Sequence, residues 1–471
     1  MVAILLTFVV ASVGARLACA AEPPSLSAGF ADADITPELA DDRPVWLAGY
    51  GPGRRATGVH DPLMARAVVL SDGEKKVALV GTDLVGLQHE AVVAVRERLK
   101  GIDYVMVSST HNHEGPDVIG IWGRTFVHRG VDDEYIALVV DRIVDAVERA
   151  DRGAVPVTAH YGTAEDESLL NDSRKPYLFD GVLRAIRFNR MDDGRAAGMM
   201  VQWNCHPEAM GSRNTLITAD FPWATVAALQ ERYEAPVVYL SGAVGGLMAP
   251  PRGRIKDDEG RELKSGDFEY TRRYGEAVAE LAAKALDAAE PIELAPLAAE
   301  SLAIAVPIEN SYYRAAWALG VVQRKVHAWT GDYRKIEPVE GADALERPTA
   351  VATEVAVLRL GNLHVACLPG ELYPELVYGR VVDPAEEGAD FPDAPAEPAV
   401  AEILRGDKWM LVGLANDEIG YIIPKRQWDF AAPFTYGRAT SQYGEINSCG
   451  PNVAPIVMQS LERCAARLAD K

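Results

Sequence analysis

Two histidines stand two positions apart in the stretch Val107–Asp117, which reads VSSTHNHEGPD and follows an apolar run. In an extended segment side chains alternate between two faces, so His111 and His113 point the same way. That geometry suits two metal ligands, or one ligand and a group that assists it. A His-x-His pair also occurs in ordinary turns, so the metal interpretation requires further ligands.

Further candidate ligands follow two other apolar runs. His206 comes directly after MMVQWNC, and Glu371 comes directly after HVACLPG. Two histidines and one glutamate form a set that zinc accepts, with a position left open for water or substrate. Tyr421, in NDEIGYIIP, is a less common ligand for the fourth place. The alternatives are a buried core histidine at position 206 and, at position 371, a carboxylate favoured by a helix N-terminus.

Two glutamates near the histidines are candidate general bases. Glu114 directly follows the second histidine of the pair, and Glu208 stands two positions after His206. A carboxylate close to a zinc-bound water can accept its proton, because zinc brings the pKa of that water to about 7. The commoner explanation for either glutamate is an exposed loop position. Asp117 is predicted to cap the segment VIGIW that follows it.

The elements that must position these residues are short apolar runs that end in polar clusters. The runs are nearly continuous in Val, Leu, Ile and Met, as expected for strands buried on both faces. They lie at Ala65–Leu70, Lys76–Asp83, Asp103–His113, Gly198–Glu208, Ala235–Gly246, His364–Glu371 and Trp409–Glu418. Helical periodicity is found between them, at Glu90–Leu99, Asp133–Ala150, Trp223–Tyr233, Thr271–Ala288 and Ile456–Leu468.

Strands that alternate with helices predict an α/β layered domain with a mostly parallel or mixed sheet and flanking helices. In such sheets, functional sites lie at the carboxyl ends of strands, where each polar cluster of this sequence falls. His60 and Asp83 also stand at strand ends and are candidates to orient a ligand imidazole.

Two segments interrupt the alternation of strands and helices. Residues Ile308–Pro348 are predicted to be an inserted helix and loop, whose aromatic residues either cover an apolar groove or pack on the core. Residues Val382–Val400 form an acidic, proline-rich loop that need not be ordered. The sequence contains neither an internal repeat nor a clear linker, so residues 21–471 are predicted to form one domain.

The first twenty residues predict export. An apolar run from Val2 to Val10 is followed by small residues, and Ala18–Ala20 fits a signal-peptidase site. The run is too short for a transmembrane span. Cys19 also allows a lipid-modified N-terminus, but Leu17 is one position too close to it for the usual spacing. The predicted location is therefore secreted or periplasmic.

The net charge limits the possible binding partners, and the cysteine content gives information on the redox compartment. The formal net charge of −21 argues against nucleic acid and anionic membrane surfaces as partners, because the long-range field repels phosphate. The four cysteines beyond the signal peptide are too widely spaced for a zinc ribbon or a dense disulfide framework. Cys449 and Cys464 could form a disulfide in an oxidising compartment.

Six motifs in this order resemble the N-terminal catalytic domain of neutral/alkaline non-lysosomal ceramidases. They are GVHDPLMARAVVL, VSSTHNHEGP, WNCHPEAM, CLPGELYPEL, NDEIGYIIP and QYGEINSCGP. The resemblance covers nearly the whole chain after the signal peptide. It implies a zinc-dependent amidase, secreted or membrane-associated, that cleaves the N-acyl bond of ceramide.

The resemblance also implies roles for individual residues. The zinc ligands of the family fall on His111, His206, Glu371 and Tyr421. His113 matches a histidine beside the reacting carbonyl, a role that needs an imidazole able to exchange a proton near pH 7. Tyr443, in QYGEINS, matches a tyrosine that donates to the developing oxyanion, and Arg174, in NDSRKP, matches an arginine that contacts the substrate. A core tyrosine and a surface arginine are the alternatives.

The sequence departs from the family where the family carries its serine. The Gly-Asp-Val-Ser-Pro-Asn motif corresponds here to Gly242–Gly246, which lacks both the aspartate and the serine, and Ser241 lies just before that stretch. Glu114 replaces the serine of the Thr-His-Thr-His-Ser motif. The family also continues into an immunoglobulin-like domain beyond the point where this sequence ends.

These observations predict an exported Zn²⁺-dependent hydrolase that cleaves an amide (N-acyl) bond of a small molecule or a lipid. The predicted nucleophile is metal-bound water unless Ser241 reaches the substrate. One alternative is a non-catalytic, zinc-stabilised binding protein on the same scaffold. Another makes the acidic loop Val382–Val400 an interaction segment on an inactive domain. The substrate and the oligomeric state stay open.

Overall fold

The computed structural model describes residues 26–246, 248–339 and 346–469. The predicted signal peptide, residues 1–20, lies outside the described residues. None of the helices in the described part is both long and apolar enough to cross a membrane.

The strands belong to two large sheets and two small ladders. In chain order they are β1 (Ser27–Asp34), β2 (Gly58–Val59), β3 (Met64–Ser71), β4 (Lys76–Thr82), β5 (Tyr104–Ser109), β6 (Val155–Glu165), β7 (Val182–Arg190), β8 (Ala196–Trp203), β9 (Leu216–Ile217), β10 (Val237–Ser241), β11 (Glu290–Ile292), β12 (Leu297–Pro307), β13 (Val326–Ala328), β14 (Glu337–Pro338), β15 (Thr349–Leu360), β16 (Leu363–Cys367), β17 (Glu371–Leu372), β18 (Trp409–Val412) and β19 (Tyr421–Ile422).

The first sheet has nine strands in the order β10-β8-β7-β6-β1-β3-β4-β5, with β11 paired to β6. It is mixed, as predicted: β4 with β5 and β8 with β10 are parallel, and the remaining pairs are antiparallel. The seven predicted apolar runs correspond to strands. Longer antiparallel strands such as β6, with its alternating exposed and buried residues, gave no comparable apolar run.

The second sheet has the order β14-β13-β15-β16-β18, with β12 paired to β15. The two sheets pack face to face, because one hydrophobic cluster joins side chains of both. Leu79 and Leu240 of the first sheet share that cluster with Leu358 and Val412 of the second. The apolar runs are therefore nearly continuous because the inner face of each sheet covers the other and the outer face is covered by helices.

The α-helices are α1 (His89–Arg98), α2 (Asp133–Arg152), α3 (Phe221–Tyr233), α4 (Phe268–Asp287), α5 (Ser311–Ala318), α6 (Glu375–Tyr378), α7 (Val400–Leu404) and α8 (Val453–Ala469). The five predicted helices correspond to α1, α2, α3, α4 and α8. Two hydrophobic clusters cover the outer face of the first sheet, one with helices α1 and α2 and the other with helices α3 and α4. Helices α7 and α8 cover the second sheet. The result is a four-layer arrangement of helices, sheet, sheet and helices, which confirms the predicted layered α/β fold.

The described residues of the predicted insertion, 308–339 and 346–348, contribute strands to the second sheet. Strand β13 pairs with β15, and β14 pairs with β13, so the segment extends the sheet after α5. The acidic loop 382–400 has little regular structure but is held by specific contacts. Asp390 accepts hydrogen bonds from the backbone of residues 430 and 431, and the buried Glu397 accepts one from Lys425 N at 3.0 Å.

Cys449 and Cys464, for which the sequence left a disulfide open, are not joined by one. Both thiols are free and buried. The Cys449 thiol contacts the carbonyl of Ile419, whereas the Cys464 thiol contacts that of Val355. The two side chains therefore turn to different carbonyl groups of the core.

Candidate metal centre

Two histidine side chains converge on one carboxylate. The Nε2 atom of His206 lies 2.9 Å from Oε2 of Glu371, and the Nε2 atom of His111 lies 3.3 Å from the same oxygen. All three side chains are buried. Two imidazole nitrogens and one carboxylate that meet at one point form a donor set suited to a divalent metal such as zinc.

Backbone carbonyls hold both imidazoles in this orientation. Nδ1 of His111 is 2.6 Å from the carbonyl oxygen of Val85, and Nδ1 of His206 is 2.9 Å from that of Met248. A ring nitrogen that donates to a carbonyl leaves the other nitrogen aimed at the metal position, where a metal would displace any proton that it carries. The side chains therefore fit a metal without rearrangement of their outer contacts.

The histidine pair lies in a turn and not in an extended segment. Residue His111 follows β5 and has a backbone φ of 70°, in the left-handed region. The rings of His111 and His113 are nevertheless close, with centroids 4.9 Å apart. The predicted proximity is confirmed, but the argument from side-chain alternation is wrong because the strand ends at Ser109.

Glu371 and Tyr421 are brought together by a ladder of only two residue pairs. Strands β17 and β19 are parallel, and Glu371 is the direct partner of Tyr421. Partner residues in a sheet project from the same face, so the register places the tyrosine beside the carboxylate. The Tyr421 ring lies 6.5 Å from that of His206, and its carbonyl accepts a hydrogen bond from Ser448 Oγ at 2.7 Å. Direct ligation by Tyr421 stays a prediction.

His113 completes a cluster of three histidines. One ring nitrogen from each of His111, His113 and His206 lies within 4.8 Å of the others, so the cluster is able to bind a metal. Nδ1 of His113 is buried without a hydrogen-bond partner. Its nearest carboxylate is that of Glu208, with Oε2 3.7 Å away.

The groups around the cluster shift the pKa values of His111 and His113 in opposite directions. Burial opposes protonation of His111, but the adjacent Glu371 carboxylate raises its pKa to about 9. Burial likewise opposes ionisation of Glu371, yet the two imidazoles lower the pKa of its carboxyl to about 2. Burial, together with His111, His206 and Arg54, lowers the pKa of His113 well below its usual value. His113 is therefore neutral at pH 7.

Glu114 is a buried partner of an arginine and not an exposed loop residue. Its carboxylate contacts the guanidinium of Arg54 and accepts a hydrogen bond from Asn214 Nδ2 at 2.9 Å. Arg54 Nη1 also donates to the carbonyl of His113 at 3.0 Å. Burial raises the pKa of the Glu114 carboxyl to about 8, although Arg54 opposes the shift. The Arg54–Glu114 pair therefore stabilises the turn that carries His111 and His113.

Arg174 is buried and holds the segment that carries Tyr443. Its guanidinium forms two hydrogen bonds with Glu445, at 2.7 and 2.8 Å, and Nη1 donates to the carbonyl of Tyr443 at 2.8 Å. The Tyr443 side chain is 48% exposed, and its ring lies 6.0 Å from that of Tyr421. The surface-arginine alternative is therefore wrong. Contact of Arg174 with a substrate stays a prediction.

The glycine turn that replaces the serine motif is closely packed. A Cβ atom at Gly245 would lie 2.3 Å from Cδ1 of Tyr373 and 2.6 Å from the Leu372 backbone. Ser241 is fully buried, and its Oγ donates to the carbonyl of Thr110 at 2.8 Å. This contact also joins the ends of β10 and β5, which lie at opposite edges of the first sheet. The described residues of the turn, 242–246, contain no hydroxyl group.

The remaining predicted residues have structural contacts. Asp117 caps its segment as predicted, because it accepts hydrogen bonds from the backbone of residues 119, 120 and 122. Asp83 pairs with Arg66, and His60 pairs with Asp61, so neither side chain orients a ligand imidazole. That prediction is wrong because backbone carbonyls, which no sequence motif marks, fill this role.

Tyr50 and Arg54 were missed by the sequence analysis. The Tyr50 ring packs edge-on against His113, at 5.1 Å between centroids, and the Arg54 guanidinium lies 4.8 Å from the centre of the Tyr50 ring. Gly49, with φ of 96°, allows this approach, because a Cβ there would lie 2.3 Å from Cγ of His113. The glycines of LAGYGPG could have indicated this contact, since glycine is often found where the backbone approaches another group closely.

The fold and these side chains define an α/β protein with a histidine-rich centre able to bind a metal. Residues 26–243 match the family described as neutral/alkaline non-lysosomal ceramidase, N-terminal. The neutral ceramidase of Pseudomonas aeruginosa is 28% identical over 274 residues, which cover 52% of this chain and 40% of that relative. The resemblance to neutral/alkaline non-lysosomal ceramidases that the motifs predicted is therefore confirmed over residues 26–243.

Solved structures support the same fold. The crystal structure of neutral ceramidase from Pseudomonas aeruginosa has a TM-score of 0.69 at 16% identity, covering 95% of this chain and 75% of that chain. A ceramidase complexed with C2 has a TM-score of 0.68 at 18% identity, with the same coverage. At these identities the likeness shows the fold alone.

Proposed function

We propose that this protein is an exported, zinc-dependent hydrolase that cleaves an amide (N-acyl) bond. The observation that carries the proposal is the convergence of His111 Nε2 and His206 Nε2 on one oxygen of Glu371, beside a third, neutral histidine. The relationship to a neutral ceramidase supports an amide as the bond that is cleaved. Export rests on the N-terminal sequence.

His111, His206 and Glu371 would hold the zinc, with Tyr421 as the fourth ligand. When bound, zinc supplies a Lewis acid that polarises the amide carbonyl and makes water a better nucleophile. The chain supplies the geometry, because both imidazoles are fixed through Nδ1 and the carboxylate is fixed by the β17–β19 ladder.

His113 and Tyr443 are proposed to serve the transfer of protons and charge. A neutral imidazole can take a proton from the attacking water and return it to the amine that leaves. Tyr443 is exposed at the edge of the site, next to Tyr421, and its hydroxyl can donate to the developing oxyanion. Arg174 fixes Tyr443 through its carbonyl, so Arg174 is a positioning residue in this proposal.

Water is the proposed nucleophile. Ser241 is buried and its hydroxyl is engaged with Thr110, and the glycine turn leaves no room for a side chain at Gly245. The reaction therefore adds water across the C–N bond and yields a carboxylic acid and an amine. The substrate is proposed to be a linear acyl amide, with ceramide as one member of the class to be tested.

The experiment combines metal analysis with hydrolysis of short and long N-acyl amides, before and after chelation. We expect about one zinc per chain and cleavage that is lost on chelation and restored by zinc. His206→Ala should lose both zinc and cleavage. Cleavage that persists in a zinc-free sample would overturn the proposal.

The glycine turn also favours a second candidate function, a zinc-stabilised binding protein that does not catalyse hydrolysis. The family serine has no counterpart among the described residues of the turn. This candidate predicts zinc binding with a raised unfolding temperature, and no cleavage of any amide or ester tested. The same substrate panel therefore separates the two functions.

A further inference from the structure

Two glutamates flank His113, and the structure distinguishes them. The Glu114 side chain is fully buried and is bound by Arg54 and Asn214. The Glu208 side chain is 24% exposed, and within the described residues no hydrogen bond to its carboxylate is formed. Among the residues that the structure describes, the Glu208 carboxylate therefore lies beside His113 without a hydrogen-bond partner of its own, whereas Arg54 and Asn214 hold Oε2 of Glu114.

Glu208 and His113 face each other because their backbones are joined. The amide of His113 donates to the carbonyl of Pro207 at 3.2 Å, and the amide of Glu208 donates to the carbonyl of His206 at 2.9 Å. These contacts bring Oε2 of Glu208 to 3.7 Å from Nδ1 of His113. That nitrogen is the buried atom without a partner.

Tyr50 contacts both Glu208 and His113. Its hydroxyl donates to the carbonyl of Glu208 at 3.2 Å, while its ring packs edge-on against the imidazole of His113. The glutamate and the histidine are thus restrained by the same aromatic side chain. A shift of about 0.8 Å would bring the carboxylate to ordinary hydrogen-bond distance, and such contacts are often long before substrate binds.

We infer that Glu208 is a positioning residue that accepts a hydrogen bond from Nδ1–H of His113. This inference rests on the proposed hydrolysis and assigns its proton path. The hydrogen bond fixes the tautomer in which Nε2 is unprotonated and accepts a proton. As the oxygen of water bonds to the carbonyl carbon, one water proton moves to Nε2. The same proton then passes to the nitrogen as the C–N bond breaks.

Glu208→Gln tests this assignment, because glutamine keeps the shape but can either donate to or accept from Nδ1. We expect about one zinc per chain, an unchanged KM and a kcat lowered about 10- to 100-fold, the usual effect of losing such a partner. Glu231→Gln, an exposed position on α3, is the matched control and should leave kcat and KM unchanged.

A second readout does not depend on turnover. In protein labelled with ¹⁵N-histidine, with the His113 signals identified from their loss in His113→Asn, the wild type should show the Nδ1–H tautomer. Glu208→Gln should shift these signals toward Nε2–H. Wild-type kcat in Glu208→Gln, or an unchanged tautomer, would overturn the inference. Loss of zinc would also overturn it, because Glu208 would then be a ligand.

The two readouts separate this inference from the proposed function. If the wild type bound zinc but cleaved no substrate, the hydrolase proposal would fail. The tautomer shift would then still support a hydrogen bond from His113 to Glu208, and its absence would refute one.

Discussion

Arg54 is a buried residue that contacts the turn carrying His111 and His113. Its guanidinium contacts the Glu114 carboxylate and donates to three carbonyl oxygens: those of Ala48 at 2.9 Å, His113 at 3.0 Å and Asn214 at 3.2 Å. Arg54→Met keeps much of the side-chain volume and removes all four contacts. Glu114 is then left in the core without its positive partner.

The expected cost follows from these contacts. Removal of one partner from a buried ion pair costs about 3–5 kcal/mol, because the other charged group stays buried without compensation. The three carbonyls add a loss of about 1 kcal/mol each at most, and such terms are not additive. Protonation of Glu114 limits the total, since burial already raises the pKa of its carboxyl to about 8. We therefore expect the free energy of unfolding to fall by about 4 kcal/mol.

Urea unfolding of the zinc-loaded protein, followed by tryptophan fluorescence, measures this loss. Trp122 is a suitable reporter, because its Nε1 donates to the carbonyl of Tyr50 at 2.9 Å, directly beside the altered residue. Arg55→Met is the matched control, since the Arg55 side chain is exposed and, within the described residues, makes one hydrogen bond, to the carbonyl of Asp41 at 3.2 Å. A loss below about 1 kcal/mol for Arg54→Met, or an equal loss for the control, would refute the reasoning.

Three further substitutions test the centre and its surroundings. His206→Ala should abolish zinc binding, measured by metal analysis, because it removes one of the two imidazoles that converge on Glu371. Ser241→Ala should leave kcat within about threefold and lower the free energy of unfolding by about 1 kcal/mol, through the lost hydrogen bond to Thr110. Gly245→Ser should lower the unfolding free energy by about 1–3 kcal/mol, because its Cβ overlaps Tyr373, and should give no gain in amide cleavage.

The positions of the candidate ligands could be predicted from the sequence because each follows a buried strand. His206 ends the run that forms β8, and Glu371 follows β16, so the fold must deliver them to neighbouring strand ends. The predicted convergence of His206, His111 and Glu371 is found at 2.9 and 3.3 Å. Apolar runs with polar residues at their ends were enough to predict this convergence, although the order of the strands in the sheets was not known.

The surroundings of His113 could not be predicted, because they depend on contacts between residues far apart in the chain. Arg54 meets Glu114 across sixty positions, and Arg174 meets Glu445 across more than two hundred and seventy. The sequence shows four charged residues of types that are usually exposed. Only the packing of both sheets and their loops shows that each is buried with a partner.

The same pairings explain why His113 differs from His111 and His206 in having no carboxylate of the described residues in direct contact. Glu371 lies against His111 and His206, and Glu114 lies against Arg54, so each of these groups has a carboxyl group in direct contact. His113 has only the more distant Glu208, and it lies among positive neighbours that disfavour a second proton. A hydrolase needs an imidazole that is neutral before water attacks and stabilised once it is protonated. The arrangement of carboxylates around His113 provides both conditions at the histidine of this cluster whose Nδ1 has no hydrogen-bond partner in the described part of the chain.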